Sequence, residues 1–220
     1  MSHRDWRRHP DGDVAVDELL DAAGHAFAEL GVAKATMVDV GRYAGCSRAT
    51  LYRYFDSRSA LHLAYVNRAA LQIAGTLGDL PRRRGDGTAE ILTDRLLAGI
   101  DGVRSDPLLA VWFEPENMAV PVALSQDSEV LSAMASGFID GLDDLAFTAA
   151  EVELRGAWLL RCIVALLAMP ADRPTERAMV ETFLVPVLID ATPAGPDASG
   201  PAESGPEESM STTTSKGDER

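Results

Sequence analysis

Arg48, Thr50, Tyr52, Arg53 and Tyr54 fall within seven consecutive residues. Their side chains suit one kind of chemistry. A guanidinium bonds guanine edges or phosphate oxygens, hydroxyls reach phosphate oxygens, and Ala49 or the Thr50 methyl can pack on a thymine methyl. This is chemistry of duplex recognition, not of bond breaking. Over residues 36–70, Arg42, Arg48, Arg53, Arg58 and Arg68 stand against Asp39 and Asp56, a net of 5 − 2 = +3 in a chain of net charge −14. A helical hairpin with solvated Arg and Tyr would show the same spacing, so the local charge and the interleaved aromatics have to decide between the two readings.

Residues suited to catalysis or metal binding are scattered. His3, His9, His25 and His62 have no Cys, Asp or Glu at ligand spacing, and Asp21 with His25, four apart on one helix, reads as a surface ion pair. Cys46 and Cys162 lie far apart and show neither metal nor redox spacing. The sequence has no glycine-rich phosphate loop, nucleophile elbow or paired-carboxylate site. No cofactor, metal or catalytic residue is expected. A helical enzyme ranks a distant second, and a module acting only through protein partners third.

The elements that position the arginines are written in local signals. Val38, Val40 and Ala44 repeat at helical spacing behind Thr36, a candidate N-cap. Gly45 follows where a helix stop needs left-handed backbone, and Ser47 is placed to cap the next helix. Within that second helix Leu51 and Phe55, four apart, face the core. A longer amphipathic helix precedes the pair, with Leu19, Leu20, Ala23, Phe27 and Leu30 on one face and Gly31 at its end. The spacing predicts a helix-turn-helix.

The pattern Ala23-x3-Phe27-x3-Gly31, Thr36-x3-Val40, Ala44-Gly45-Cys46-Ser47 and Thr50-Leu51-Tyr52-x-Tyr54-Phe55-x-x-Arg58-x-x-Leu61 resembles the DNA-binding domain of TetR-type transcriptional regulators. The match spans about residues 17 to 63. Gly41, Cys46, Ala49 and Arg58 stand where the family usually has Ala, Val, Gly and Lys, and Gly41 inside a short helix should cost about 1 kcal/mol against Ala. By that resemblance Thr36, Tyr54 and Arg58 hold phosphates. Arg48, Ala49, Thr50 and Tyr52 lie at the groove with Ser47 at their head, Arg53 beside them and Arg42 as a second candidate.

From Ser59 a helix runs through Leu63, Val66, Ala70 and Ile73 towards Leu77, then a loop by composition at Pro81-Arg82-Arg83-Arg84-Gly85-Asp86-Gly87. Helical patterns resume at 89–103, 107–118, 121–142, 149–169 and 175–191, punctuated by Pro107, Pro115, Pro121, Pro170 and Pro174. No stretch alternates with the period of a sheet. The fold class is therefore all-α, with about nine helices: a flexible extension at 1–14, a three-helix DNA-binding domain at 15–62, a larger helical domain at 63–191 and a disordered acidic tail at 192–220.

The last two helices carry apolar residues on more than one face, so each needs more than one covering surface. Burial within one chain is one answer. The other is a symmetric homodimer through Trp158, Ile163, Leu166, Phe183, Leu184, Val187 and Leu188, in the four-helix bundle that the resemblance implies. Trp112, Phe113, Met118, Met134, Phe138 and Trp158 offer adaptable apolar surface that reads as plain core or, by the resemblance, as the lining of a small-effector pocket. Glu114, Glu116 and Asn117 near Pro115 are polar contacts to that pocket or simply surface.

Hydrophobic residues make up 46% of the chain, enough for a buried core, and no apolar run reaches the roughly 18–20 residues needed to span a bilayer. Arg4, Arg7 and Arg8 lack a following apolar stretch, so no signal peptide is read and the cytoplasm is expected. Residues 1–60 carry net 8 − 9 = −1, residues 61–191 net 10 − 19 = −9 and the tail net 2 − 6 = −4. The acids thus lie away from the arginine-rich unit, beyond a Debye length of about 8 Å. The sequence points to a dimeric regulator, a repressor released from a palindromic operator by a lipophilic small molecule; a ligand-independent regulator or an activator is the alternative.

Overall fold

The computed structural model describes residues 12–78, 87–140 and 147–190. The expected tail, the arginine triplet at 82–84 and residues 1–11 lie outside them. Among the described residues there are helices and no strands: α1 (Gly12–Leu30), α2 (Met37–Ala44), α3 (Arg48–Tyr54), α4 (Arg58–Gly78), α5 (Thr88–Ser105), α6 (Pro107–Ala110), α7 (Ala119–Asp127), α8 (Glu129–Asp140), α9 (Ala149–Ala168) and α10 (173–189). α1 begins at Gly12, inside the segment expected to be a flexible extension. No described helix is long and apolar enough to cross a membrane.

Two breaks depart from the helical pattern of the sequence. The stretch 107–118 is not one helix. Pro107 opens α6 behind the Asp106 cap, a 3-10 turn covers Val111–Phe113, and turns follow through Pro115 to Met118. The stretch 121–142 is split at Ser128, whose hydroxyl accepts the Leu131 amide at 3.0 Å and so caps α8, while donating to Asn67 Oδ1 on α4 at 2.8 Å. α10 widens to a π turn at Val180–Leu184. Pro186 has no N–H to offer the Thr182 carbonyl, and just ahead of it the Val185 amide reaches Val180 O, five residues back.

Burial divides into two clusters. The first gathers Leu19, Ala23 and Phe27 of α1, Met37, Val40 and Ala44 of α2, Leu51 of α3 and Leu61 and Tyr65 of α4, and it extends to Val111 and Trp112. The second joins Leu92, Leu96 and Leu97 of α5, Ile139 of α8, Leu159 of α9 and Val180, Leu184, Val185 and Leu188 of α10. α8 and α9 pack closely because Gly156 faces the backbone of Ser136, where a Cβ would come within 2.8 Å. Glu176 of α10, only 1% exposed, takes a bidentate grip from Arg104 of α5 at 2.8 and 2.6 Å. The same guanidinium reaches Leu166 O at 2.7 Å, locking α5, α9 and α10 together. That pairing holds the Glu176 carboxyl below the usual range, against the opposing cost of burial.

Candidate nucleic-acid interface and apolar cavity

The turn between α2 and α3 is fixed by its caps. Thr36 Oγ1 accepts the Asp39 amide at 3.3 Å and donates to Asp39 Oδ2 at 2.6 Å, while Asp39 Oδ2 takes the Thr36 amide at 3.0 Å. Those bonds hold the Asp39 carboxyl below its ordinary value. Gly45 adopts φ 65°, the left-handed stop expected of it. Ser47 Oγ accepts the Thr50 amide at 3.0 Å and lies 2.9 Å from Thr50 Oγ1. A Cβ on Gly41 would lie 3.2 Å from the Cys46 carbonyl, so this glycine allows the close approach that its poor helix propensity alone would not explain. Leu51 and Phe55 are buried beneath, with Val40 and Ala44 of α2, while Val38 of the same repeat is 55% exposed.

What remains outward on α3 is a paired cationic and aromatic face. The Arg48 guanidinium lies 5.1 Å from the Tyr52 ring centroid and donates to its hydroxyl at 3.4 Å. Arg53 lies 5.0 Å from the Tyr54 ring and donates to that hydroxyl at 3.2 Å. Stacking on tyrosine restrains each long side chain before any partner arrives. Arg48, Ala49 and Arg53 are exposed, and Thr50, Tyr52 and Tyr54 are half-buried.

Arg42 and Arg58, also expected at the DNA, are held by neighbours, as is Arg68 of the same basic stretch. Arg42 is exposed and paired to Asp39. Arg58 donates to Ala33 O at 3.1 Å and Ala35 O at 3.4 Å, closing the loop between α1 and α2. Arg68 turns to α1, meeting Asp21 at 2.9 Å and the Asp17 carbonyl at 3.0 Å. Asp21 therefore pairs with Arg68, where the sequence suggested His25.

Asn117 is buried, not surface. Its Oδ1 accepts the Ala33 amide at 3.0 Å and its Nδ2 donates to Val111 O at 2.8 Å. Next to Val111 in sequence, Trp112 joins Phe27, His62 and Tyr65 in an aromatic cluster, stacked on Tyr65 at 5.4 Å and edge-on to Phe27 at 5.4 Å. Desolvation, helped by Arg58, pushes His62 down to about 4.

Trp112 also faces a cavity of about 270 Å³ between α4, α5, α7, α8 and α9. Phe113, Met134 and Phe138 line it as expected of a pocket, and so does Ile163, which the sequence placed on a dimer face. Met118 and Trp158 do not line it. Met118 borders a separate depression beside α7, and Trp158 is 47% exposed on α9. The sequence reading missed Arg95, which lines the cavity. Its signal was positional: it lies four residues before Gly99 and eight before Val103, on the inward face of α5.

The expected dimer residues separate into two sets. Phe183 is 70% exposed, and Val187 and Trp158 are exposed beside Met179, Leu154 and Met169. Leu184 and Leu188 are buried against α5 and α9 within their own chain, so they leave the candidate interface. Leu166 is half-buried on the same internal cluster.

Residues 19–65 match the family described as bacterial regulatory proteins, tetR family. Two HTH-type transcriptional regulators of Mycobacterium tuberculosis, from strains H37Rv and CDC 1551, are 36% identical to the chain over 201 residues, covering 88% of it and 95% of theirs. Among solved structures, a TetR transcriptional regulator from Rhodococcus sp. RHA1 superposes with a TM-score of 0.60 at 18% identity, covering 83% of this chain and 100% of that one. AlkX from Dietzia sp., a TetR family repressor implicated in biodegradation of n-alkanes, superposes at 0.51 with 21% identity, covering 79% and 95%. These two likenesses are of fold.

Proposed function

The chain belongs to the tetR family of transcriptional regulators, and from that premise we propose that it is a dimeric repressor whose grip on a palindromic operator is released by a small lipophilic molecule. The observation that carries the proposal is the α3 face. A short helix fixed by Ser47 and Gly45 presents Arg48 on Tyr52 and Arg53 on Tyr54, with Ala49 and Thr50 between. In this reading residues 15–62 form the reading head and residues 63–191 the effector and dimer part. Thr36, Tyr54 and Arg58 hold phosphates, and Arg42 and Ser47 flank the groove.

Two copies joined through Phe183, Val187 and Trp158 would hold their heads at half-sites about 34–36 Å apart or a multiple of that. The exposed stripe Met179, Phe183 and Val187, at four-residue spacing, supports the pairing. In this reading release runs through Trp112, which lines the cavity and packs against Phe27 and Tyr65. A ligand that displaces this ring moves α1 and α4, and the head with them. Such coupling between sites typically amounts to about 1–3 kcal/mol.

Sequencing the DNA that the full chain retains from a genomic pool should return a two-fold symmetric site. Arg48→Ala and Tyr52→Ala should then weaken its gel-shift titration by about 1–3 kcal/mol where the contact is to a base. Unaltered titrations for both variants would remove α3 as the reading element.

A further inference from the structure

We infer that the cavity takes a slender amphipathic monocarboxylate, with its carboxylate on Arg95 and its chain directed towards Trp112 and Phe113. The inference rests on the reading of this cavity as the effector site.

The lining is aliphatic and aromatic apart from Arg95 and Ser125, and the Ser125 hydroxyl is already donated to Val122 O at 2.8 Å. Arg95 is the exception among the arginines of its region. Arg104 and Arg177 hold carboxylates, Arg173 pairs with Asp101 at 2.9 Å, and Arg155 and Arg161 donate to backbone carbonyls. Arg95 forms no ion pair or hydrogen bond among the described residues, yet it is half-buried at the cavity wall. An unpaired guanidinium beside apolar surface favours an anion that restores both charge and hydrogen bonds, and a planar carboxylate fits its fork.

The direction of the chain follows from α5. Arg95, Gly99 and Val103 line successive turns, so the wall runs about 12 Å from Arg95 to Val103 at the helical rise. Beyond Val103 the chain turns through α6 to Trp112 and Phe113. The charged end therefore lies away from the reading head, and the tail ends against the ring that packs on Phe27. The volume of about 270 Å³ falls below the usual range for bulky ligands, which favours a single unbranched chain over a nucleotide conjugate.

Calorimetric titration of the full chain with decanoate, decanol and decanoyl-coenzyme A tests the inference. Decanoate should bind roughly tenfold or more tighter than decanol, the order expected for a charge-assisted contact. Arg95→Gln should abolish that preference while leaving decanol binding in place, and Arg95→Lys should restore part of it. If R95Q fails to fold, Arg95→Met makes the same comparison. Equal binding of acid and alcohol, no binding of either, a preference that survives R95Q, or a tighter thioester would each overturn the assignment. Operator capture by the ligand-free chain is measured alongside. Its failure would strike the regulator reading alone, and the titrations strike only this one.

Discussion

The side-chain amide of Asn117 joins two parts of the chain that are far apart in sequence. It accepts the Ala33 N–H at 3.0 Å and donates to Val111 O at 2.8 Å, out of contact with water. Ala33 belongs to the loop before α2, and Val111 to the corner beside the cavity. One buried amide thus ties the support of the reading head to the segment that carries Trp112.

Asn117→Ala leaves the Ala33 amide without its partner and takes from the Val111 carbonyl the shorter of two bonds, the Glu114 amide remaining at 3.4 Å. The expected loss is about 1–3 kcal/mol, the cost of one orphaned group. Urea unfolding of the two proteins checks this, and an unchanged midpoint would refute the tie.

Phe183 and Leu184 are neighbours with opposite fates. Phe183→Asp should yield a folded monomer by light scattering, because its ring is exposed on the proposed interface. Leu184→Ala should keep the dimer and lose about 2–5 kcal/mol of stability, the cost of a cavity in a packed core. A dimer that survives F183D would exclude this face.

His62 carries a pH dependence. Its folded value of about 4 lies below the ordinary 6.5, so the unfolded chain binds the extra proton first and stability falls as pH drops from 6.5 towards 4. The loss across that window is about 3 kcal/mol, at roughly 1.4 kcal/mol per unit. His62→Phe, which keeps a ring edge-on to Phe27 and Trp112, should flatten this part of the profile in denaturation series at pH 7 and pH 4.5. An identical slope in both proteins would discount the buried imidazole.

Arg58 supports the α1–α2 loop through two carbonyls, and the proposal also gives it a phosphate. Arg58→Ala should then lower operator affinity at low salt and reduce the salt slope by about one. A drop in stability with the slope unchanged would leave it only the loop.

The caps of α2 and α3 were legible because their bonds close within three residues. Thr36 reaches Asp39, Ser47 reaches Thr50, and Gly45 needs only its own φ. The long helices were legible for the same kind of reason, since apolar residues recur at their own period. Ser128 was misread because its cap is buried against Asn67, sixty-one residues away. Asn117 was missed because nothing near it in sequence marks a polar side chain as internal.

The residues alone determined that the chain is helical, that a helix-turn-helix opens it and that the arginines gather on that unit. Each of these depends on hydrogen bonds and periodicities confined to a few neighbouring positions. Tertiary packing decided which of several apolar faces turns inward, burying Leu184 and exposing Phe183, and closed a cavity around Arg95. The physical reason is that a side chain's burial depends on whichever helix lies across from it, and no local pattern encodes that helix's position.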